Sequence, residues 1–231
     1  MCGIAGFLST GAARQGDEAL RAMGNALAHR GPDASGTFLS PDGRVGLSHR
    51  RLSILDLTPA GAQPMFSADG SLVLSFNGEV YNFREIRAEL EGKGHAFRGG
   101  SDTEVMLAAF REWGLEAAVR RFIGMFAFAL WDSGARKLYL VRDRLGIKPL
   151  FLARLPGMLL FASELKAILA YPDFPRKVDR SALQYFLEFQ YVPGPHAIYL
   201  NVEKVLPGHI VEIDVDGKIT DKALEGFGPE V

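Results

Sequence analysis

The run Phe126-Ala-Phe-Ala-Leu-Trp131 is apolar at every position, so neither of its faces can be left in water. A strand of this kind must be covered on both sides, which already demands a fold of several layers. Similar stretches rich in β-branched and aromatic residues occur at Gly3–Phe7, Ser35–Leu39, Val45–His49, Leu72–Asn77, Met125–Asp132, Lys137–Arg142, Met158–Ser163 and His209–Val215. The 26 glycines and 12 prolines fall between these runs as turn punctuation, not in one linker. Helical periodicity is present at Asp17–His29, where Leu20, Met23, Ala26 and Leu27 share a stripe, and at Asn82–Glu91 through Ile86 and Leu90. Ser101–Trp113 opens with Ser-Asp-Thr-Glu, the pattern of a reciprocal capping box, and Ser181–Phe189 is a fourth helix. Runs of antiparallel strands covered by helices on both faces predict a layered α+β sandwich.

At 231 residues, with 48% hydrophobic and 23% charged, the chain fits one large domain with a substantial core. We expect that domain over residues 1–215, with 216–231 as a tail or truncated linker running through Gly217, Gly226, Gly228 and Pro229. The formal charge of −1 implies no general attraction to nucleic acid or to an anionic membrane. The longest uncharged apolar run, Phe122–Trp131, is about half of what a membrane span needs. No signal peptide is expected, because Arg14 follows the first apolar stretch where it should precede it. The histidines at 29, 49, 95, 196 and 209 have no metal-ligand spacing, and no Walker loop or dinucleotide fingerprint occurs, so no metal is expected.

One cysteine excludes an internal disulfide and suggests a reducing, cytoplasmic home. Most lone cysteines are small buried hydrophobes, and composition alone favours that reading here. Position argues otherwise. If the initiator Met1 is removed, Cys2 gains a free α-amine with a reference pKa of about 7.7–8.0 beside its thiol. One residue then holds both a nucleophile and a general base. Acyl transfer also needs donors for the developing oxyanion. Asn77-Gly78 is first of all a hairpin-turn signal. The same pair also offers a side-chain amide and an unencumbered backbone N–H, so both readings stand.

Eight blocks in order resemble the glutaminase domain of glutamine-dependent asparagine synthetases: Met1-Cys-Gly-Ile-Ala-Gly, His29-Arg-Gly-Pro-Asp, His49-Arg-Arg-Leu-Ser-Ile-Leu-Asp, Asn77-Gly-Glu-Val-Tyr-Asn, Ser101-Asp-Thr-Glu-Val, Gly124-Met-Phe-Ala-Phe-Ala-Leu-Trp-Asp, Arg142-Asp-Arg-Leu-Gly-Ile-Lys-Pro-Leu and Ser163-Glu-Leu-Lys-Ala-Ile. The resemblance runs from Cys2 to about Val215. It implies a class II glutamine amidotransferase of the N-terminal-nucleophile hydrolase type, a four-layer αββα sandwich of two antiparallel sheets.

Carried over by residue, the resemblance implies Cys2 as nucleophile with its own α-amine as base, and Asn77 and Gly78 as the oxyanion hole. Arg51 would hold the glutamine α-carboxylate, a task that suits a planar fork of donors, with the backbone of Leu52, Ser53, Ile54 and Leu55 lining the same pocket. Glu79 and Asp102 would face the substrate amino group, although a first-turn helix acid such as Asp102 is favoured by the dipole in any case. His29, Arg30 and Gly31 would belong to a loop closing over glutamine; they equally suit a helix C-terminus. The expected reaction is hydrolysis of the glutamine side-chain amide through a γ-glutamyl thioester, with ammonia passed to a synthetase domain or chain. The Asp143–Pro149 block would face that partner. No cofactor is expected in this chain, since ATP and magnesium would belong to the missing synthetase domain. A homo-oligomer is compatible with the sequence. The alternative is a non-catalytic glutamine sensor or partner-binding module of the same fold.

Overall fold

The computed structural model describes residues 1–11, 13 and 16–224. Among these described residues, twelve strands build two antiparallel sheets. The first has the order β10(Val202–Lys204), β8(Phe151–Leu155), β9(Met158–Ala162), β1(Gly3–Ser9), β3(Val45–Arg51), β2(Ala34–Leu39). The second has β12(Ile219–Ala223), β11(His209–Asp214), β7(Lys137–Arg142), β6(Gly124–Asp132), β5(Leu72–Val80), β4(Met65–Phe66).

The period-2 alternation of β6 accounts for the layering. Phe126, Phe128 and Leu130 point to one side, into a core shared with helices α2(Phe83–Gly92), α3(Asp102–Trp113) and α4(Leu115–Arg121). Ala127, Ala129 and Trp131 point to the other, where Ile4, Leu8, Val45, Leu47 and Phe161 of the first sheet meet them. Small alanines on the inner face let the sheets approach, while the phenylalanines fill the wider gap under the helices. Each buried phenylalanine contributes about 1.5–3 kcal/mol of transfer free energy. The outer face of the first sheet, with Ala5, Phe7, Leu160 and Ala162, is covered by α1(Gly16–Asn25) and α5(Leu165–Leu169). The result is the expected αββα sandwich.

Several elements differ in extent. Helix α1 stops at Asn25 and not at His29; Ala26–Arg30 are turns closed by Leu27 N–H to Gly24 O and Arg30 N–H to Leu27 O. Ser101 caps α3 by accepting from Glu104 N–H at 3.3 Å, but the capping box is one-sided. The Glu104 carboxylate accepts from Arg98 and Gly99 N–H instead. Helix α6(Arg180–Phe189) starts one residue before the expected Ser181, where Asp179 accepts from the N–H groups of Ser181 and Ala182. The segment expected as a tail from residue 216 contains β12, which pairs with β11 across a turn at Asp216-Gly217, with Gly217 at φ 83. Of that expected tail, 225–231 lie outside the described residues. Short β4, β8, β10, α4 and α5 carry too little periodicity to be read from sequence. Among the described residues no helix is long and apolar enough to cross a membrane.

Candidate active site

The sandwich opens at one end into a cavity of about 130 Å³ lined by Cys2, Arg51, Leu52, Ile54, Leu55, Asn77, Gly78, Glu79 and Asp102. Every one of these was expected from sequence. They come from four separate elements, so the fold itself assembles the constellation.

Cys2 sits one residue ahead of β1. The Leu52 N–H donates to its Sγ at 3.4 Å, and the thiol points back at Leu52 O at 3.7 Å. Burial pushes the thiol pKa above its ordinary value; the Leu52 hydrogen bond, the chain terminus and Arg51 pull against this, and Asp102 adds to it. A sulfur in this environment is not ionised unaided and needs a base.

Asn77 and Gly78 lie inside β5, not in a hairpin turn. Asn77 pairs with Ala127 and Gly78 with Phe126. Gly78 is glycine for a steric reason: a Cβ there would overlap the Met125 carbonyl oxygen and come within 2.6 Å of Phe126 Cα. Ladder alternation fixes where its N–H points. Phe76 N–H, two residues earlier, donates outward to Gln63 Oε1 at 2.7 Å, and Val80 N–H, two residues later, donates outward to Asp102 Oδ2 at 3.0 Å. The Gly78 N–H shares that direction, toward the edge where Gln63 and Asp102 also line the cavity. Asn77 is 1% exposed, and neither Oδ1 nor Nδ2 has a hydrogen-bond partner. Leaving a buried amide bare costs on the order of 1–3 kcal/mol, an arrangement that persists where the group has other work.

Arg51 ends β3, and its guanidinium donates to the carbonyl oxygens of Thr58 and Asp56. A Cβ on Gly61 would overlap its Nη2, so glycine there lets the guanidinium lie flat against the Pro59–Gly61 turn. The Asp56 carboxylate braces the same loop, accepting from Thr58 Oγ1, Gly100 N–H and Thr58 N–H; these bonds hold its pKa below the usual range. Asp102, at the first position of α3, is 4% exposed. Burial raises its pKa to about 6; the N–H groups of Val80 and Thr103 oppose that rise, and Glu79 adds to it.

Four expected residues do not line the cavity. Ser53 is not part of the lining, and its N–H donates to Asp33 Oδ2 at 2.8 Å. Arg30 lies behind the nucleophile: its Nε donates to Cys2 O at 2.9 Å and its Nη1 to Glu164 Oε1 at 2.8 Å. Burial alone would raise Glu164, yet the bonds from Arg30, Lys166 and His29 bring it down to about 2, so it is a firm anchor for Arg30. His29 contacts that same carboxylate, and Gly31 packs against the backbone of Arg50 and Arg51. The structure adds Met1, Asp56, Gly61, Gln63, Phe76, Ser101, Thr103, Met125 and Lys148 to the lining. For Lys148 the only sequence signal is its place in the Arg142–Leu150 block. His49, two residues before Arg51, is buried with both ring nitrogens unpartnered; burial, then Arg51, holds its pKa at about 3, so it is a neutral core side chain.

A thiol one residue ahead of an inner strand thus shares one cavity with the Asn77 amide and Gly78 at the mouth of an αββα sandwich. A solved structure of glutamine phosphoribosylpyrophosphate amidotransferase from Bacillus subtilis, complexed with ADP and GMP, has this fold, with a TM-score of 0.75 at 18% identity over 97% of this chain and 50% of that one. A model of the glutamine amidotransferase domain family matches residues 1–223, and the chain belongs to that family. It is 42% identical over 226 residues to asparagine synthetase [glutamine-hydrolyzing] 1 of Bacillus subtilis, covering 96% of this chain and 35% of that protein. It is also 36% identical to amidase chry2 of Gibberella zeae, covering 90% of this chain and 32% of that protein. The chain thus spans about a third of the length of these curated relatives.

Proposed function

We propose that this chain hydrolyses the side-chain amide of glutamine to glutamate and ammonia through a thioester on Cys2, as the ammonia-supplying part of an asparagine synthetase-like amidotransferase. The observation that carries this reading is the meeting of the Cys2 thiol with the bare Asn77 amide and the outward Gly78 N–H in one cavity flanked by Arg51 and Asp102.

With Met1 removed, the α-amine of Cys2 takes the thiol proton while sulfur attacks the carboxamide carbon. The carbonyl electron pair moves to oxygen, which rests on Asn77 Nδ2 and Gly78 N–H. The protonated amine gives its proton to the departing nitrogen, and ammonia leaves as the C–N bond breaks. Water, deprotonated by the same amine, then adds to the thioester; the C–S bond breaks, the amine returns the proton to the sulfur, and glutamate leaves. Arg51 holds the α-carboxylate, and Asp102 with Glu79 faces the ammonium of the substrate. Arg30 and Glu164 hold the carbonyl of Cys2 and so aim the sulfur.

The acceptor of the ammonia is a synthetase domain or chain that binds ATP and magnesium; residues 1–231 carry no Ser-Gly-Gly phosphate loop for that step. The reaction is assigned to the cytoplasm on the single free cysteine. An electrophilic glutamine analogue tests the assignment. A stoichiometric adduct on Cys2, absent in Cys2→Ala, together with ammonia release from glutamine, is expected; labelling elsewhere or none overturns it.

The second reading, a non-catalytic glutamine-binding module, has one observation in its favour: the Met1 side chain occupies a wall of the cavity. Retention of Met1 by intact mass in protein from its native host would select it.

A further inference from the structure

Among the described ionisable side chains that line the cavity, Asp56 and Lys148 have no task in the reaction above; Asp56 is bonded to Thr58 and Gly100, which leaves Lys148. It is 3% exposed, and its Nζ meets the sulfur of Met1 at 3.2 Å. A thioether is a weak acceptor, so this ammonium is buried against a poor partner, an expensive arrangement for a charge. The backbone beneath it is rigid. Lys148 N–H donates to Asp143 Oδ2 at 2.9 Å, and the same oxygen accepts from Phe126 N–H at 3.2 Å. Phe126 is the cross-strand partner of Gly78, so Lys148 is tied to the strand beside the oxyanion donors.

Met1 also measures the distance to the reacting end. Its sulfur touches Nζ and its carbonyl carbon is bonded to the Cys2 nitrogen, so Nζ lies within about 10 Å of that nitrogen by bond lengths. Among the described residues, the cations lining the cavity are Arg51 on β3 and Lys148; behind Cys2, Arg30 of the turn after α1 donates to the Cys2 carbonyl and is paired with Glu164. Arg51 is engaged by the carbonyls of Asp56 and Thr58. The acids are Asp56 in the Leu52–Gly61 loop, bonded to Thr58 and Gly100; Glu79 on β5; and Asp102 on α3, bonded to Val80 N–H. On the Lys148 loop itself, the Arg142 guanidinium donates to the carbonyls of Lys148, Gly146 and Val205, and Asp143 is engaged by backbone N–H groups. Glu79 and Asp102 both favour a protonated amine at the chain end, the state in which it cannot serve as a base.

We propose that Lys148 is a positioning residue for the Cys2 base: once Met1 is gone, its ammonium faces the new α-amine and, as a like charge, keeps that amine unprotonated near neutral pH. This rests on the reading of Cys2 as an N-terminal nucleophile. The same positive charge favours the thiolate, whose formation burial opposes. Two like charges at about 10 Å, in surroundings with an effective dielectric constant of about 20, move a pKa by on the order of one unit.

The test titrates the amine directly, without relying on turnover. Protein freed of Met1 by methionine aminopeptidase, verified by intact mass, is labelled with acetic anhydride against an internal amine standard across pH 5 to 10. Mass spectrometry then gives the pKa of the N-terminal amine. Lys148→Met is expected to raise that pKa by roughly 0.5–1 unit. Lys148→Gln, which keeps polarity without charge, does the same, and Lys148→Arg restores the wild-type value. The acidic limb of kcat/KM for glutamine moves up with the amine in the two uncharged variants. An unmoved amine pKa in either folded uncharged variant, or an equal shift in Lys148→Arg, overturns the proposal. Wild-type protein that titrates as expected but releases no ammonia would instead overturn the glutaminase reading.

Discussion

The two walls of the cavity are built on opposite terms. On the wall from the first sheet, the groups that line the cavity are partnered: Cys2 with Leu52 and Arg30, Arg51 with Asp56 and Thr58, Asp56 with Thr58 and Gly100; the unpartnered His49 ring and Arg30 Nη2 lie outside the lining. On the wall from the second sheet one group is left wanting: the Asn77 amide is bare, and beside it burial drives the carboxyl of Asp102 up to about 6 even though it accepts from Val80 N–H. Strand β5 makes the contrast within two residues. Ser75 and Asn77 are both buried on the same face; the Ser75 hydroxyl donates to Ser48 O at 3.3 Å, whereas Asn77 has nothing. The first wall spends its hydrogen bonds on holding a sulfur and a guanidinium still. The second keeps the Asn77 amide uncommitted, which on the proposed reading is where charge develops only during reaction.

The sharpest way to break this contrast is Asn77→Ala. Loss of one oxyanion donor lowers kcat by about 10²–10³, or roughly 2.7–4 kcal/mol, with KM little changed. Because the amide is unpartnered in the folded protein, its removal leaves Tm unchanged or raised. A large loss of Tm would mean that Asn77 is an ordinary structural residue and that the two walls do not differ. Gly78→Ala is the opposite case: it retains the N–H but forces a methyl group into the Met125–Phe126 backbone, so stability falls by about 1–3 kcal/mol in denaturant titration.

The partnered wall is tested at Arg30. Arg30→Met removes the donor to the Cys2 carbonyl while Glu164 keeps Lys166 and His29. A nucleophile aimed less well lowers kcat by about tenfold, roughly 1.4 kcal/mol, at constant KM. A raised KM with unchanged kcat would return Arg30 to the substrate-covering loop that the sequence suggests.

How much of this could be read from the chain alone depends on where the information is stored. Sheets and helices with clear periodicity, such as β6 and α3, were legible because one run of residues determines both faces. Cys2, Arg51, Asn77, Gly78 and Asp102 were named through motif resemblance, not geometry; Asn-Gly by itself signals a turn, and only the pairing of β5 with β6 shows it extended. Arg30 was legible as important but not in its role, because its bond to Cys2 O joins residues 28 apart and depends on Glu164, a further 134 residues on. Lys148 was invisible as a cavity residue, since its reach depends on Asp143 fixing the loop beneath it. Strands of two to five residues such as β4, β8 and β12 exist only by virtue of their neighbours.

Asp102 allows the smallest and most discriminating test, because its effects on stability and on function have opposite signs. Its folded-state pKa, about 6, lies above the ordinary 3.8, so the stability linked to this group is fully present below about pH 4 and is lost as pH rises through 6. Asn imitates the protonated acid. Asp102→Asn is therefore expected to be more stable than wild type at pH 8 by on the order of 1 kcal/mol, the gain being reduced because Asn accepts more weakly from Val80 and Thr103 N–H, and nearly equal to it at pH 4. Binding runs the other way. On the proposed reading the ionised carboxylate is the counter-charge for the substrate ammonium, so KM for wild type is expected to rise as pH falls through about 6, and in Asp102→Asn to be high and flat across that range. Greater stability at pH 8 with a flat, raised KM would show that this wall holds its charge for the ligand and not for the fold; lower stability at pH 8 would place Asp102 with the partnered residues of the opposite wall.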